Sequence, residues 1–123
     1  MANGTTINWL ADPEEHDYLA AGSYLCLMYD ETAAAKYIEQ LRKMPISKFK
    51  AKVIFRASGL SLLGISNSHV EHDREKVLAG QSLSPLLLVR ATNNQKVIIA
   101  DGYHRMCAVY SFDEDALIPC KIV

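Results

Sequence analysis

The sequence predicts an α+β fold, in which a helical hairpin precedes a small mixed sheet with helices packed on it. Apolar residues recur at helical spacing through the first third of the chain, and short apolar runs between turn residues dominate the second half. With 123 residues, 50% of them hydrophobic and 22% charged, the composition is that of one globular domain. We therefore predict a single domain over 1–123, with the hairpin over 1–45 and the core over 46–123.

Capping residues define the two predicted helices of the hairpin. Asp12 is predicted as an N-cap, because Glu15 follows at the spacing of a capping box, and the helix should run to about Tyr29. Asp30 is predicted to cap a second helix over Glu31–Lys43. The two helices should pack antiparallel and cover part of the core.

The remaining predicted elements alternate between strands and helices. Lys48 and Lys50 should share one face of the first strand, with Phe49 on the other. Asn93-Asn94 is a favourable hairpin turn. The predicted elements are a strand over 46–51, a helix over 52–58, a helix from Asn67 or Ser68 to about Ala79, strands over 86–91 and 96–100, a helix to about Tyr110, and a last strand over 118–123.

The most informative stretch follows the predicted strand Val97–Ala100. Asp101-Gly102 ends that strand and a helix begins at once, which places His104 and Arg105 in its first turn. A helix start carries unpaired N–H groups and a positive dipole end, so these two cationic side chains predict an anion site, most simply for phosphate. In the alternative interpretation, Asp101 is the N-cap and the His-Arg pair is merely exposed.

The segments on either side of this stretch carry a resemblance. Leu83-Ser84-Pro85 leads into an apolar strand that ends in Arg90, and Ile118-Pro119-Cys120 follows the helix. This order, with a D-G-x-H-R helix start between the two segments, resembles the ParB/sulfiredoxin-like superfamily over about residues 66–123. The resemblance implies that superfamily's small mixed sheet for the core.

The resemblance also implies roles for individual residues. Gly102, His104 and Arg105 match the position at which family members bind a phosphate or the phosphates of a nucleotide. Asp101 matches the aspartate of members that phosphorylate free serine, where it would hold Mg²⁺ or accept a proton from the attacking hydroxyl. Arg90 ends a strand that should run beside the strand before Asp101, where it is a candidate to reach the anion, and a solvated arginine at the strand end is an equal alternative.

Lys48 and Lys50 are further predicted phosphate contacts. They lie in a stretch, between Met44 and Ser68, that contains no Asp or Glu. This favours anion binding, but it leaves the predicted nucleotide site without the acidic residue that family members often carry there.

Other activities of this superfamily fit less well. Tyr103 stands where sulfiredoxins have the cysteine of their G-G-C-H-R motif, which argues against sulfinic-acid repair. No helix-turn-helix follows the last strand, and the net charge is −1, so sequence-specific DNA binding is not expected. The lack of a carboxylate cluster for two metal ions argues against a nuclease.

Histidine and cysteine positions complete the candidate list. His69 and His72 would share one helix face with Asp73 nearby, a spacing that could hold a metal, but two surface histidines near a helix start are more common and no metal is predicted. Cys107 could be reactive near a helix start, although packing against the sheet is favoured. Three cysteines without a zinc pattern indicate reduced thiols, as in a cytoplasmic protein.

Two functional hypotheses follow. The first is a phosphate- or nucleotide-binding enzyme, a phosphotransferase or nucleotide hydrolase, with Mg²⁺ accompanying the nucleotide. The second is a non-catalytic module for ligand sensing or protein interaction. No apolar run approaches the roughly 20 residues that cross a bilayer, and no signal peptide is recognisable, so a membrane partner is not expected. The sequence leaves the oligomeric state undefined.

Overall fold

A computed structural model of the protein describes residues 5–90 and 96–123. Its helices and strands confirm the predicted α+β class. The predicted Asn93-Asn94 turn and the end of the preceding strand at Ala91 lie outside the described residues. The elements are α1 Glu15–Leu25, α2 Glu31–Lys43, β1 Ser47–Lys50, α3 Ala51–Ser58, α4 Ser68–Leu78, β2 Leu86–Arg90, β3 Val97–Asp101, α5 Tyr103–Phe112 and β4 Leu117–Ile122.

The four strands form one mixed sheet in the order β1-β4-β2-β3. β1 pairs with β4 and β2 pairs with β3 in antiparallel ladders, whereas β2 and β4 run parallel. This confirms the predicted mixed sheet. It also puts β1 and β3 at opposite edges of the sheet, so residues on those two strands are separated by its full width.

Helices cover both faces of the sheet. Leu86 and Leu88 of β2 belong to a core shared with α3, α4 and α5, whereas Leu87 and Val89 belong to a core shared with α1 and α2. A strand buried on both faces is apolar at successive positions, which explains the run at β2. In the described part of the chain, no helix has the length and apolar character needed to span a membrane.

The start of α1 corrects one prediction. The predicted cap Asp12 lies before the helix, 3.9 Å from the Lys121 ammonium group. Instead, Glu14 is the N-cap, and its backbone N–H donates to the Asp17 carboxylate at 2.8 Å in a capping box. The capping box therefore lies two residues later than predicted, at Glu14 and Asp17. The helix also ends at Leu25 rather than near Tyr29, because the next residues form turns.

The predicted helical hairpin is confirmed. Asp30 caps α2 by accepting from the Ala33 N–H at 2.8 Å. Arg42, at the end of α2, donates two hydrogen bonds of 2.7 and 2.8 Å to Glu15, at the start of α1. A contact between the end of one helix and the start of the other requires the two to run antiparallel.

A β-bulge ends β3. Leu88 pairs with Ile99, but the residue before it in β2, Leu87, pairs with Asp101 rather than Ala100. Residues directly opposite in a ladder share a face, so Asp101 lies on the same side of the sheet as Leu87, towards α1. The bulge thereby turns a carboxylate towards the helical hairpin just before α5 begins.

Candidate functional site

Helix α5 begins without a side-chain cap. Its N-cap is Gly102, with φ of 108°, and no side chain among the described residues caps the first-turn N–H groups. Asp101 is therefore not the N-cap, which corrects the alternative interpretation of this stretch. A Cβ at Gly102 would lie 2.6 Å from Cγ of Leu86, so the turn requires glycine both for its backbone angle and for space.

Arg105 is held by groups of the protein itself. Its Nε donates to the Ser84 carbonyl at 3.0 Å, and its Nη2 donates to the Pro85 carbonyl at 3.4 Å and to Oδ2 of Asp101 at 2.9 Å. Nη1 lies 3.9 Å from Oδ1 of Asp17. Only 16% of the side chain is exposed. These internal acceptors hold Arg105 in place, and its side chain also lines a cavity at the start of α5.

Asp17 belongs to this network, and the sequence analysis did not find it. The residue is 2% exposed. Burial acts to raise its pKa, but hydrogen bonds from the Glu14 N–H and the Ser84 hydroxyl, with the charge of Arg105, bring the pKa below its usual value. A signal was present: Asp17 stands four residues before Ala21 and eight before Leu25, which are both buried on the same face of α1.

The pKa of Asp101 is shifted in the opposite direction from that of Asp17. Burial raises the pKa of its carboxyl group, and the nearby Asp17 charge adds to this, while Arg105 opposes it. Two carboxylates whose environments separate their pKa values are a frequent arrangement for acid–base chemistry, although structural ion networks do the same. Asp101 also borders two cavities, so its side chain is accessible to a small ligand.

The first cavity, of about 150 Å³, opens at the start of α5. His104 lines it together with His69, His72 and Asp73 of α4. The rings of His69 and His104 lie 4.9 Å apart between centroids. Burial lowers the pKa of His104, and the neighbouring His69 lowers it further, so its imidazole favours the neutral form. The structure therefore brings three imidazoles to the uncapped helix start.

A second cavity, of about 340 Å³, borders the same helix start. It is lined on one side by Asp101 to His104 and on the other by Tyr24, Leu60 and Ile99. Tyr103 lines both cavities, and its hydroxyl donates a hydrogen bond to the Ser61 carbonyl in the loop after α3. A polar cavity and a more apolar one thus share the mouth of α5.

The structure does not bring three predicted phosphate contacts to the start of α5, namely Lys48, Lys50 and Arg90. Lys48 and Lys50 lie on β1, at the sheet edge opposite β3. Lys50 is 3.6 Å from the Asp115 carboxylate, and Lys48 lines a separate cavity beside Trp9. Their predicted face is correct, since both are exposed and Phe49 is not, but the structure does not bring them to the start of α5.

Arg90 is also displaced from the site. It pairs with Val97, at the start of β3, whereas Asp101 is at the end of that strand. Four residues of extended chain span roughly 13 Å. Arg90 lines an apolar cavity of about 230 Å³ beside Phe49 and Val97 instead. The antiparallel pairing of β2 and β3 is the reason, because the end of one strand meets the start of the other.

Cysteine chemistry is absent from the site. Cys107 and Cys120 are buried, and burial raises the pKa of both thiols, that of Cys120 to about 12. The favoured prediction that Cys107 packs against the sheet is confirmed. Cys26, at the end of α1, is exposed and free. A high pKa and burial both suppress the reactive thiolate.

Comparison with known proteins adds no relative: no protein-family model, curated protein or solved structure matches the chain.

Proposed function

We propose that this protein binds a phosphorylated small molecule at the start of α5, with a nucleotide as the class of ligand that uses the site most fully. The observation that carries the proposal is the uncapped helix start at Gly102, which opens into the cavity lined by His69, His72 and His104. Unpaired N–H groups at the positive end of a helix dipole attract anions. Imidazoles add donors, and they become cationic when an anion raises their pKa.

Arg105 supports the ligand indirectly in this proposal. Its bonds to the carbonyls of Ser84 and Pro85 fix the first turn of α5 against the segment before β2. Asp17 and Asp101 balance the charge of Arg105. The positive character of the start of α5 therefore comes from the helix dipole and the histidines. Phosphate therefore binds through N–H groups and imidazoles.

The second cavity favours a nucleotide over free phosphate. It adjoins the polar cavity along Asp101 to His104 and presents Tyr24, Leu60 and Ile99 to a ligand. A ligand with an anionic end and a flat, partly apolar body can occupy both spaces, and aromatic and apolar side chains are the usual lining for such a body.

Phosphoryl transfer is a second candidate function, carried by Asp101. Its carboxylate borders both cavities, and its raised pKa makes it a better proton acceptor than an ordinary aspartate. In this version Asp101 takes the proton of an attacking hydroxyl or water, and Mg²⁺ accompanies the nucleotide. The resemblance to the ParB/sulfiredoxin-like superfamily supports the same assignment and remains part of the proposal.

Thermal unfolding in the presence of candidate ligands tests the binding proposal. Nucleotides, sugar phosphates and inorganic phosphate are each added with and without Mg²⁺, and ligands that bind the folded state raise Tm by mass action. We expect at least one nucleotide to raise Tm more than inorganic phosphate does. The absence of any shift across the set contradicts the proposal.

Matched variants locate the binding site. His104→Ala should weaken the best ligand by about 1.5–3 kcal/mol, which is the scale of a hydrogen bond to a charged group. Lys48→Ala, at the opposite edge of the sheet, should leave affinity unchanged. Equal losses in both variants would show that the ligand binds elsewhere.

Asp101→Asn separates the two candidate functions. The amide oxygen can still accept from Arg105, but it cannot accept a proton. Turnover of a bound nucleotide by the wild-type protein and its loss in Asp101→Asn, with binding retained, supports phosphoryl transfer. Binding without turnover in the wild-type protein supports the non-catalytic module.

A further inference from the structure

The polar cavity beside α5 contains four side chains of a kind that binds metal ions. His69, His72 and Asp73 occupy positions i, i+3 and i+4 of α4, so they project from one helix face. His104 faces them from α5 across the cavity. Three imidazoles and one carboxylate form a donor set typical of tetrahedral Zn²⁺ sites.

In residues 5–90 and 96–123, no hydrogen bond or ion pair is found for the imidazoles of His69, His72 and His104 or for the Asp73 carboxylate. The contacts found for the His104 imidazole are with the rings of His69 and Tyr103. By contrast, the other two charged groups of the cavity, Asp101 and Arg105, are paired with each other. The donors that face the cavity are therefore available.

We propose that His69, His72, Asp73 and His104 bind a divalent first-row transition metal ion, with Zn²⁺ as the best match. The ring centroids of His69 and His104 are 4.9 Å apart, tilted by 42°. No three of the four donor atoms lie within 4.8 Å of one another in the structure, so binding one ion at Zn–N distances of about 2.1 Å requires changes of side-chain rotamer.

The metal would use the same imidazoles that are proposed to contact phosphate, so the two ligands are tested separately and the cation is tested in phosphate-free buffer. Asp73 supplies the negative charge among the four donors, and Arg105, which also lines the cavity, is paired with Asp101.

A rival cluster provides the control. Glu14, His16 and Asp17 are the one group of three or more candidate ligands found within 4.8 Å of one another among the described residues. However, the Asp17 carboxylate already accepts from the Glu14 N–H at 2.8 Å, and it lies 3.9 Å from the Arg105 guanidinium. A metal there would displace a helix cap.

Titration calorimetry with ZnCl₂, on chelator-treated protein in phosphate-free buffer, tests the proposal. We expect one equivalent to bind. His69→Ala and His104→Ala should each weaken binding by at least about 10-fold, and His16→Ala should leave it unchanged. His69 is exposed, so His69→Ala should fold normally, which circular dichroism and Tm confirm.

A second measurement reports the ligands directly. Co²⁺ substitution should give the visible absorption of a tetrahedral site, lost in His104→Ala. Affinity for Zn²⁺ should also fall as the pH is lowered from 7 to 5, because protons compete for imidazole. The proposal is overturned if Zn²⁺ does not bind, or if His16→Ala removes binding while His69→Ala retains it.

Discussion

Nη2 of Arg105 donates a hydrogen bond of 2.9 Å to Oδ2 of Asp101, the residue four positions earlier in the chain. A cation in the first turn of a helix is disfavoured by the helix dipole. Asp101 on one side and Asp17 on the other offset this cost, and the backbone carbonyls of Ser84 and Pro85 accept further hydrogen bonds. The network connects α1, the end of β3 and α5.

Removing Arg105 should strongly destabilise the fold. Arg105→Ala leaves the buried Asp17 and the half-buried Asp101 without their cation, which in buried pairs costs about 3–5 kcal/mol. Urea denaturation measures the loss. Lys43→Ala, which breaks the exposed pair with Glu39, is the control and should change stability little. A loss for Arg105→Ala no larger than that of the control contradicts the role of the network.

Gly102→Ala should destabilise the protein by about 1–3 kcal/mol or more, because its positive φ and the contact with Leu86 both oppose a Cβ. Gly22→Ala is the matched substitution. Its Cβ would lie 3.5 Å from Cγ1 of Ile38, an ordinary contact, and alanine favours the helix by up to about 1 kcal/mol. Thermal unfolding of the two variants should therefore shift Tm in opposite directions, and equal shifts would show that the turn does not require glycine.

Stability should fall as the pH drops through the range in which histidine titrates. Burial lowers the pKa of His104 in the folded state, so the unfolded chain binds the proton first and stability is lost from about pH 6.5 downward. His104→Gln should flatten this slope in melting curves recorded from pH 5 to 8. His16→Gln, on the exposed start of α1, should not. An unchanged slope in His104→Gln would assign the pH dependence to other groups.

Thiol reactivity should distinguish the three cysteines. Cys26 is exposed, whereas Cys107 and Cys120 are buried with raised pKa values, so one thiol should react rapidly with a disulfide reagent and two only as the protein unfolds. Cys26→Ser should remove the fast phase, which stopped-flow absorbance records. Rapid reaction of a second thiol in the native protein would contradict the burial of Cys107 or Cys120.

Several of the predictions that the structure confirms are based on neighbouring residues. The caps Asp30 and Asn67 accept hydrogen bonds from N–H groups two or three positions away. The period of apolar residues along an element indicates which of its faces is buried. The strand, turn and helix around Gly102 depend on the same short-range rules. Such signals are complete within a few residues, so the sequence is sufficient to read them.

The composition of the site was decided by tertiary structure. The order of strands in the sheet places Lys48 and Lys50 at the edge opposite β3. Antiparallel pairing places Arg90 at the far end of β3 from Asp101. Helix packing brings Asp17 close to Arg105, and His69 close to His104. The sequence by itself determined the order of the elements and the strand, turn and helix around Gly102. Which charges meet there was settled only by the packing of both helical layers on the sheet, because contacts between distant residues depend on where whole elements are placed.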